Sequence, residues 1–184
     1  MALVCIFHGI QGHPEENWFP WLKTELQKAG HRVVIPAFPC SDHPNLEEWL
    51  ACFSQCRINL DDHSILIGHS LGSAFALRLL ERCRQPVHAT VLIAPAWNVM
   101  GNAFDSLMTS FTAATYDWKT IRKYAGEIHV IGSDDDPYIA PEKTEALARN
   151  LGVKVTLIKK GGHFNAAAGY TTFQRLLDEM GRLR

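Results

Sequence analysis

The pentapeptide Gly68-His69-Ser70-Leu71-Gly72 constrains this chain more than any other stretch. It has the spacing G-x-S-x-G and stands between an apolar run ending at Gly68 and a helical pattern beginning after Ser70. A serine on a sharp strand-to-helix turn takes strained backbone angles, so its neighbours two residues away must be small for strand and helix to approach. Such a turn exposes the hydroxyl and aims a helix N-terminus at negative charge forming beside it. Ser70 is therefore the candidate nucleophile. The competing reading is a glycine-rich turn whose serine only caps the helix.

Six short runs rich in Val, Ile and Leu alternate with helical patterns. The expected strands are Leu3–Phe7, Arg32–Pro36, Ser64–Gly68, Ala89–Ile93, Glu127–Gly132 and Lys154–Ile158. The expected helices are Trp18–Ala29, Leu46–Ile58, Ser70–Cys83, Asp117–Tyr124, Pro141–Leu151 and Thr171–Arg182, with Gly30 and Gly152 as C-terminal stops. Near-continuous apolar strands suit a parallel sheet covered by helices on both faces. The length, 184 residues, suits one domain over 1–184. A net charge of -1 gives no electrostatic reason to expect nucleic acid or an anionic membrane as partner, and no apolar run is long enough to insert in a bilayer. The apolar N-terminus reads as a first strand and not a signal peptide. The 5 cysteines show no metal-like grouping, so a reducing cytoplasm is the expected location.

In such a sheet the crevice lies at the carboxyl ends of the strands. The first strand is followed there by His8-Gly9-Ile10-Gln11-Gly12 and the third by Ser70. The fourth leads into Trp97, the fifth into Asp134-Asp135-Asp136-Pro137, and the sixth into Gly162-His163-Phe164. A serine hydroxyl needs a base, and the base needs a carboxylate to orient it and stabilise its cation. His163 is the candidate base. Among the three aspartates Asp136 is favoured because the fixed φ of Pro137 stiffens the adjoining loop, with Asp135 second and Asp134 third. The competing readings of the triplet are a solvated turn capping the Pro141 helix and a site for a hard cation. No second acidic cluster supports the cation, and neither metal nor cofactor is expected. His69 should pack within the turn, pointing away from Ser70, and His8 should brace the glycine loop. Backbone N–H groups of Leu71 and Ile10 are the candidate oxyanion donors.

With these residues in place the chain resembles the α/β-hydrolase superfamily. More narrowly, it is similar to the small serine hydrolase family that includes the YdeN-type and retinoblastoma-binding proteins. The resemblance is carried by His8-Gly9, Asn17-Trp18-Phe19-Pro20-Trp21-Leu22, Pro44-Asn45-Leu46-Glu47-Glu48-Trp49-Leu50, the Ser70 pentapeptide, Asp135-Asp136-Pro137 and Gly162-His163-Phe164. It implies a three-layer α/β-hydrolase sandwich, strand order 2-1-3-4-5-6, and Ser70, Asp136 and His163 as a triad. A pocket-protein partner is not implied, because the chain has no L-x-C-x-E motif.

Residues 94–116 form the longest stretch without a firm assignment. Phe104, Leu107, Met108 and Phe111 recur at helical spacing, which suits a small cap over the nucleophile or a long crossover helix on the sheet. Gln11, Trp97 and Phe164 are expected to line the pocket, although Trp97 suits the core equally. So short a cap argues for small or medium acyl esters as substrates; thioesters and amides would use the same groups. Two rival functions stand beside the esterase. One is a hydrolase-fold binding protein without turnover. The other is a nucleotide binder, which G-x-G-x-x-G after the first strand would signal and which this chain lacks there.

Overall fold

In the computed structural model, which describes residues 1–183, all six expected strands pair into one parallel sheet of order β2-β1-β3-β4-β5-β6. They are β1 (Leu3–Phe7), β2 (Arg32–Val34), β3 (Ser64–His69), β4 (Ala89–Ile93), β5 (Glu127–Ser133) and β6 (Val155–Ile158). The strand period of two sends alternate residues into separate apolar layers. Cys5, Phe7, Leu66, Leu92 and Val130 join one. Val4, Ile6, Ile65, Ile67, Val91 and Ile93 join the other.

Seven helices cover these layers: α1 (Phe19–Lys28), α2 (Leu46–Gln55), α3 (Leu71–Leu80), α4 (Thr109–Thr112), α5 (Trp118–Tyr124), α6 (Pro141–Leu151) and α7 (Gln174–Arg182). Helices α1 and α7 bury Leu22, Leu26, Leu176 and Met180 on the second layer. Helices α2, α3, α5 and α6 bury Trp49, Phe53, Phe75, Ile121 and Leu147 on the first. The result is a three-layer α/β sandwich, as the sequence led one to expect. None of its helices is long and apolar enough to cross a membrane, among the described residues.

Several element ends fall inside the expected ranges, for local reasons. Strand β2 stops at Val34, short of Pro36, which has no N–H to donate. Helix α2 ends at Gln55 because Arg57 takes a left-handed φ of 50°. Helix α7 starts at Gln174, after an extended Phe173 with φ -143°. Asn45 caps α2 by accepting N–H bonds from Glu47 and Glu48. Gly152 closes α6 at φ 76°.

The 94–116 segment is no long crossover helix. It folds as a 3₁₀ turn (Asp105–Met108) running into α4. Asp105 fixes its start, accepting N–H bonds from Met100 and Gly101 at 2.7 and 2.8 Å. Buried Arg78 of α3 fixes its end. It donates to the carbonyls of Phe111 (2.9 Å) and Ala114 and lies 3.7 Å from the centre of the Tyr116 ring. Met108 and Phe111 are consequently buried in the sheet-side layer, while Phe104 turns toward the crevice.

Strand β3 and helix α3 meet the rest of the sheet too closely for side chains at Gly68 and Gly72. A Cβ on Gly68 would sit 2.6 Å from the Gly72 carbonyl oxygen, and one on Gly72 would overlap the carbonyl oxygens of Phe7 and His8. Gly72→Ala should therefore destabilise by more than about 3 kcal/mol, the range of severe overpacking. Gly181→Ala, in α7 with nothing within 4 Å of the new methyl, should stabilise by up to about 1 kcal/mol. Urea denaturation of both variants checks the contrast, and similar effects at the two sites would contradict it.

Candidate active site

Ser70 stands at the crossing of β3 and α3 with φ 54° and ψ -123°. A non-glycine residue held at such angles costs on the order of 1–3 kcal/mol and persists only where its surroundings over-determine it. Here they do. The Ser70 N–H donates to Ile93 O at 3.0 Å, and its carbonyl accepts from Ser73 N (3.0 Å) and Ala96 N (3.2 Å). Ser73 Oγ adds a bond to Gly68 O at 2.9 Å. A serine that merely caps a helix would accept from the first turn through its side chain, and Ser70 makes no such bond.

The loop after β6 brings His163 to the same crevice. Its Nδ1 lies 2.8 Å from Asp136 Oδ2, with the side chains 10% and 1% exposed. Asp136 Oδ1 accepts from the N–H groups of Tyr138 (2.8 Å) and Ile139 (3.1 Å), which anchor the carboxylate beside the ring. The carboxylate fixes which ring nitrogen carries the proton, leaving Nε2 free to accept one.

The other two aspartates do not cap α6, whose N-cap is Ala140 with no side-chain bond. That expectation is corrected: both hold the histidine loop. Asp134 Oδ1 accepts from Lys160 N at 2.7 Å, and Asp135 Oδ1 accepts from Gly162 N at 2.8 Å and from Ser133 Oγ at 2.7 Å. The Ser133 and Gly162 bonds hold the Asp135 carboxyl below the usual carboxylate range. Spread along the loop in this way, the triplet is not a cage for a hard cation. Among the described residues no group of three or more His, Cys, Asp or Glu side chains is placed to hold a metal ion.

His69 is buried with its ring centre 5.0 Å from that of His163. Its Nε2–H donates to His163 O at 2.8 Å, which leaves Nδ1 as a buried acceptor without a partner among the described residues. Its expected packing role thus extends to the histidine loop. Burial, reinforced by the nearby charge of His163, pushes the His69 pKa down to about 3. His8 braces the glycine loop as expected: Nδ1 lies 3.0 Å from Gly9 O, and Nε2 accepts from Phe38 N at 3.2 Å. In that loop Gln11 N donates to Ser41 O and Gly12 N to Gly9 O; the Ile10 N–H has no acceptor among the described residues. Leu71, the first residue of α3, has no intrahelical acceptor for its N–H either.

A pocket of about 260 Å³ joins these groups. Ser70, His163, Ile10 and Gln11 line it, as expected for Gln11. Ser70 and His163 share its wall without a direct hydrogen bond. Met100, Phe104, Met108 and Ile139 give it apolar lining; Glu16, Asn17, Asn102 and Asn165 give it polar lining. Two expected wall residues lie elsewhere. Trp97 is drawn away by its indole N–H, which donates to Lys143 O at 3.0 Å, and packs on Trp118 at 5.6 Å. Phe164 is fully buried in the layer under α7, stacked on Phe173 at 5.5 Å. Glu16, Asn17, Asn165 and Tyr138 were missed. Each sits in a loop beyond a strand end already singled out, and that is the one signal that points to them.

The serine hydrolase family model matches residues 4–182. YdeN of Bacillus subtilis (strain 168) is 29% identical over 177 residues, 95% of this chain and 92% of its own. Serine hydrolase RBBP9 of Rattus norvegicus is 26% identical over 155 residues, 80% and 78% of the two chains. The crystal structure of the B. subtilis ydeN gene product superposes with a TM-score of 0.93 at 28% identity, covering 100% of this chain and 98% of that one. The α/β-hydrolase enzyme MGS-MChE2, from a lagoon-sediment metagenome, shares the fold with a TM-score of 0.71 at 20% identity, covering 98% and 90%.

Neutral, buried His69 ties stability to pH. The folded chain refuses a proton that an unfolded imidazole takes up near its ordinary pKa of about 6.5. Stability should be complete above that value and fall as pH drops from there toward about 3. His8, whose pKa burial also lowers, acts in the same direction. Urea titrations between pH 7 and 4.5 should show a shallower fall in His69→Gln than in the unsubstituted protein. Parallel slopes would contradict the assignment.

Proposed function

We propose, from the premise that the chain belongs to the serine hydrolase family, that it cleaves small or medium carboxylic esters through an acyl-enzyme on Ser70. The observation that carries the proposal is the 2.8 Å bond of His163 Nδ1 to buried Asp136, beside a strained Ser70 that lines the same pocket. Ser70 Oγ attacks the ester carbonyl carbon as its proton passes to His163 Nε2. Asp136 keeps the ring in the required tautomer and stabilises the imidazolium. The Ile10 and Leu71 N–H groups take the oxyanion, a contribution of roughly 10²–10³ in rate for each donor.

Collapse of the tetrahedral intermediate breaks the C–O bond, and His163 returns the proton to the departing alcohol. Water then repeats the sequence on the acyl-enzyme and frees the acid. Because the serine and histidine are not directly bonded without substrate, the pair tightens as the ester seats, as catalytic hydrogen bonds commonly do. The pocket volume, about 260 Å³, falls just below the usual range of ligand sites, roughly 300 to 1,000 Å³. That supports short acyl chains. Thioesters and amides present the same carbonyl to the same groups.

A fluorophosphonate probe should label Ser70 in the folded protein. Ser70→Ala should abolish both labelling and p-nitrophenyl acetate turnover. Asp136→Asn should lower kcat on the order of 10⁴-fold while leaving the fold intact, by mis-setting the histidine tautomer. Folded protein that ignores the probe and a panel of short esters would overturn the proposal.

A further inference from the structure

The mechanism leaves the one carboxylate of the pocket lining unused. That carboxylate is Glu16, and no Lys or Arg lines the pocket to neutralise it. Among the described residues it takes part in no salt bridge. The chain reaches it through the loop that runs from β1 into α1, so its place follows from the same strand end that presents Ile10. Its Oε1 lies 2.6 Å from where a Cβ on Gly12 would stand, so the carboxylate rests on the glycine loop that also carries Ile10. Absence of a side chain at Gly12 is what gives it that seat. Asn17 and Asn165 line the same pocket, but each already spends its side-chain oxygen on a backbone N–H, Ala166 and Ala168 respectively. Glu16, which takes a hydrogen bond from the His13 backbone, is thus the anionic acceptor of the pocket. Met100, Phe104 and Met108 give the pocket apolar contacts, with Asn102 among them.

We infer that Glu16 is a specificity-determining residue that selects esters bearing a protonated amine, seated on its carboxylate while the rest of the substrate packs on the apolar lining. The inference rests on the ester-hydrolase reading and deepens it by naming the substrate class. A carboxylate on a confined cavity whose lining holds no Lys or Arg attracts an ammonium and repels a carboxylate, more strongly than it would in open solvent. Burial raises the Glu16 carboxyl above its ordinary value, against the opposing pull of His13, which agrees with a group facing the cavity instead of bulk water.

Two matched ester series test this. In one the alcohol is 2-(dimethylamino)ethyl, isosteric neutral 3-methylbutyl, or 2-carboxyethyl, all as butanoates. In the other the same three groups end the acyl chain of a methyl ester. In at least one series kcat/KM should rank amine over neutral by about tenfold and neutral over carboxylate by a similar factor, with tenfold corresponding to about 1.4 kcal/mol. Glu16→Gln should bring the amine-to-neutral ratio near one, and Glu16→Asp should restore part of it. Because each ratio is taken within one protein, a general loss of activity in a variant cancels. Calorimetric binding of the amine and neutral esters to Ser70→Ala protein should give the same order without turnover. A ratio near one in both series, from protein that hydrolyses the neutral esters, would overturn the inference and leave the hydrolase reading standing. A preference that survives Glu16→Gln, or equal binding of the two esters to the Ser70→Ala protein, would overturn it as well. Failure of all esters and of fluorophosphonate labelling would instead overturn the hydrolase reading.

Discussion

The structure depends on how firmly one irregular loop is held. Residues 160–166 have no strand or helix to fix them before Ala166, yet nearly every residue is bonded by a side chain from elsewhere in the sequence. Asp134 takes Lys160 N, Ser133 takes Gly161 N, and Asp135 takes Gly162 N. Asp136 takes the ring of His163, His69 the His163 carbonyl, Trp18 the Phe164 carbonyl at 2.9 Å, and Asn17 the Ala166 N–H. A hydrogen bond of this kind contributes a net of about 0.5–1.5 kcal/mol. Several together offset much of the freedom lost by a short loop, which costs roughly 1–2 kcal/mol for each backbone residue fixed. The partners come from both sides of the loop, so it is clamped and not merely tethered. An imidazole on such a clamp can stay in register with a hydroxyl carried by a different strand.

The serine side of the site uses strain where the histidine side uses bonds. Ser70 at φ 54° is tolerable because Gly68 and Gly72 let α3 press against β3 and β1, and because the serine's backbone is bonded to β4 and the residues beyond it. Helix α3 is buried along its length and carries Arg78, whose guanidinium ties down the far end of the 94–116 segment. One helix thus fixes both Ser70 and the segment that lines its pocket.

Much of this was legible in the residues themselves. The β3–α3 turn announced itself because glycines at fixed offsets have a steric cause. The parallel sheet followed from apolar strands alternating with helices. His163 and Asp136 emerged from the rule that chemistry collects at carboxyl ends of strands. Which aspartate meets the ring was less legible, because three consecutive carboxylates differ only in where a turn points them; the structure gives each its own donor on the facing loop. Trp97 and Phe164 were misplaced because proximity to a strand end says nothing about which way a ring turns. A carbonyl at Lys143 captured one, and the Phe173 ring the other. Glu16 and Asn165 were invisible because irregular loops leave no periodic signal of their path.

A crystal structure of the protein after reaction with a fluorophosphonate tests the central claim most directly, because the adduct holds a tetrahedral phosphorus where the reacting carbon would stand. The account predicts phosphorus bonded to Ser70 Oγ, its non-bridging oxygen within hydrogen-bond reach of the Ile10 and Leu71 N–H groups, and His163 still clamped to Asp136 with Nε2 toward the adduct. Phosphorus on another residue, or a 160–166 loop swung away with His163 parted from Asp136, would contradict it.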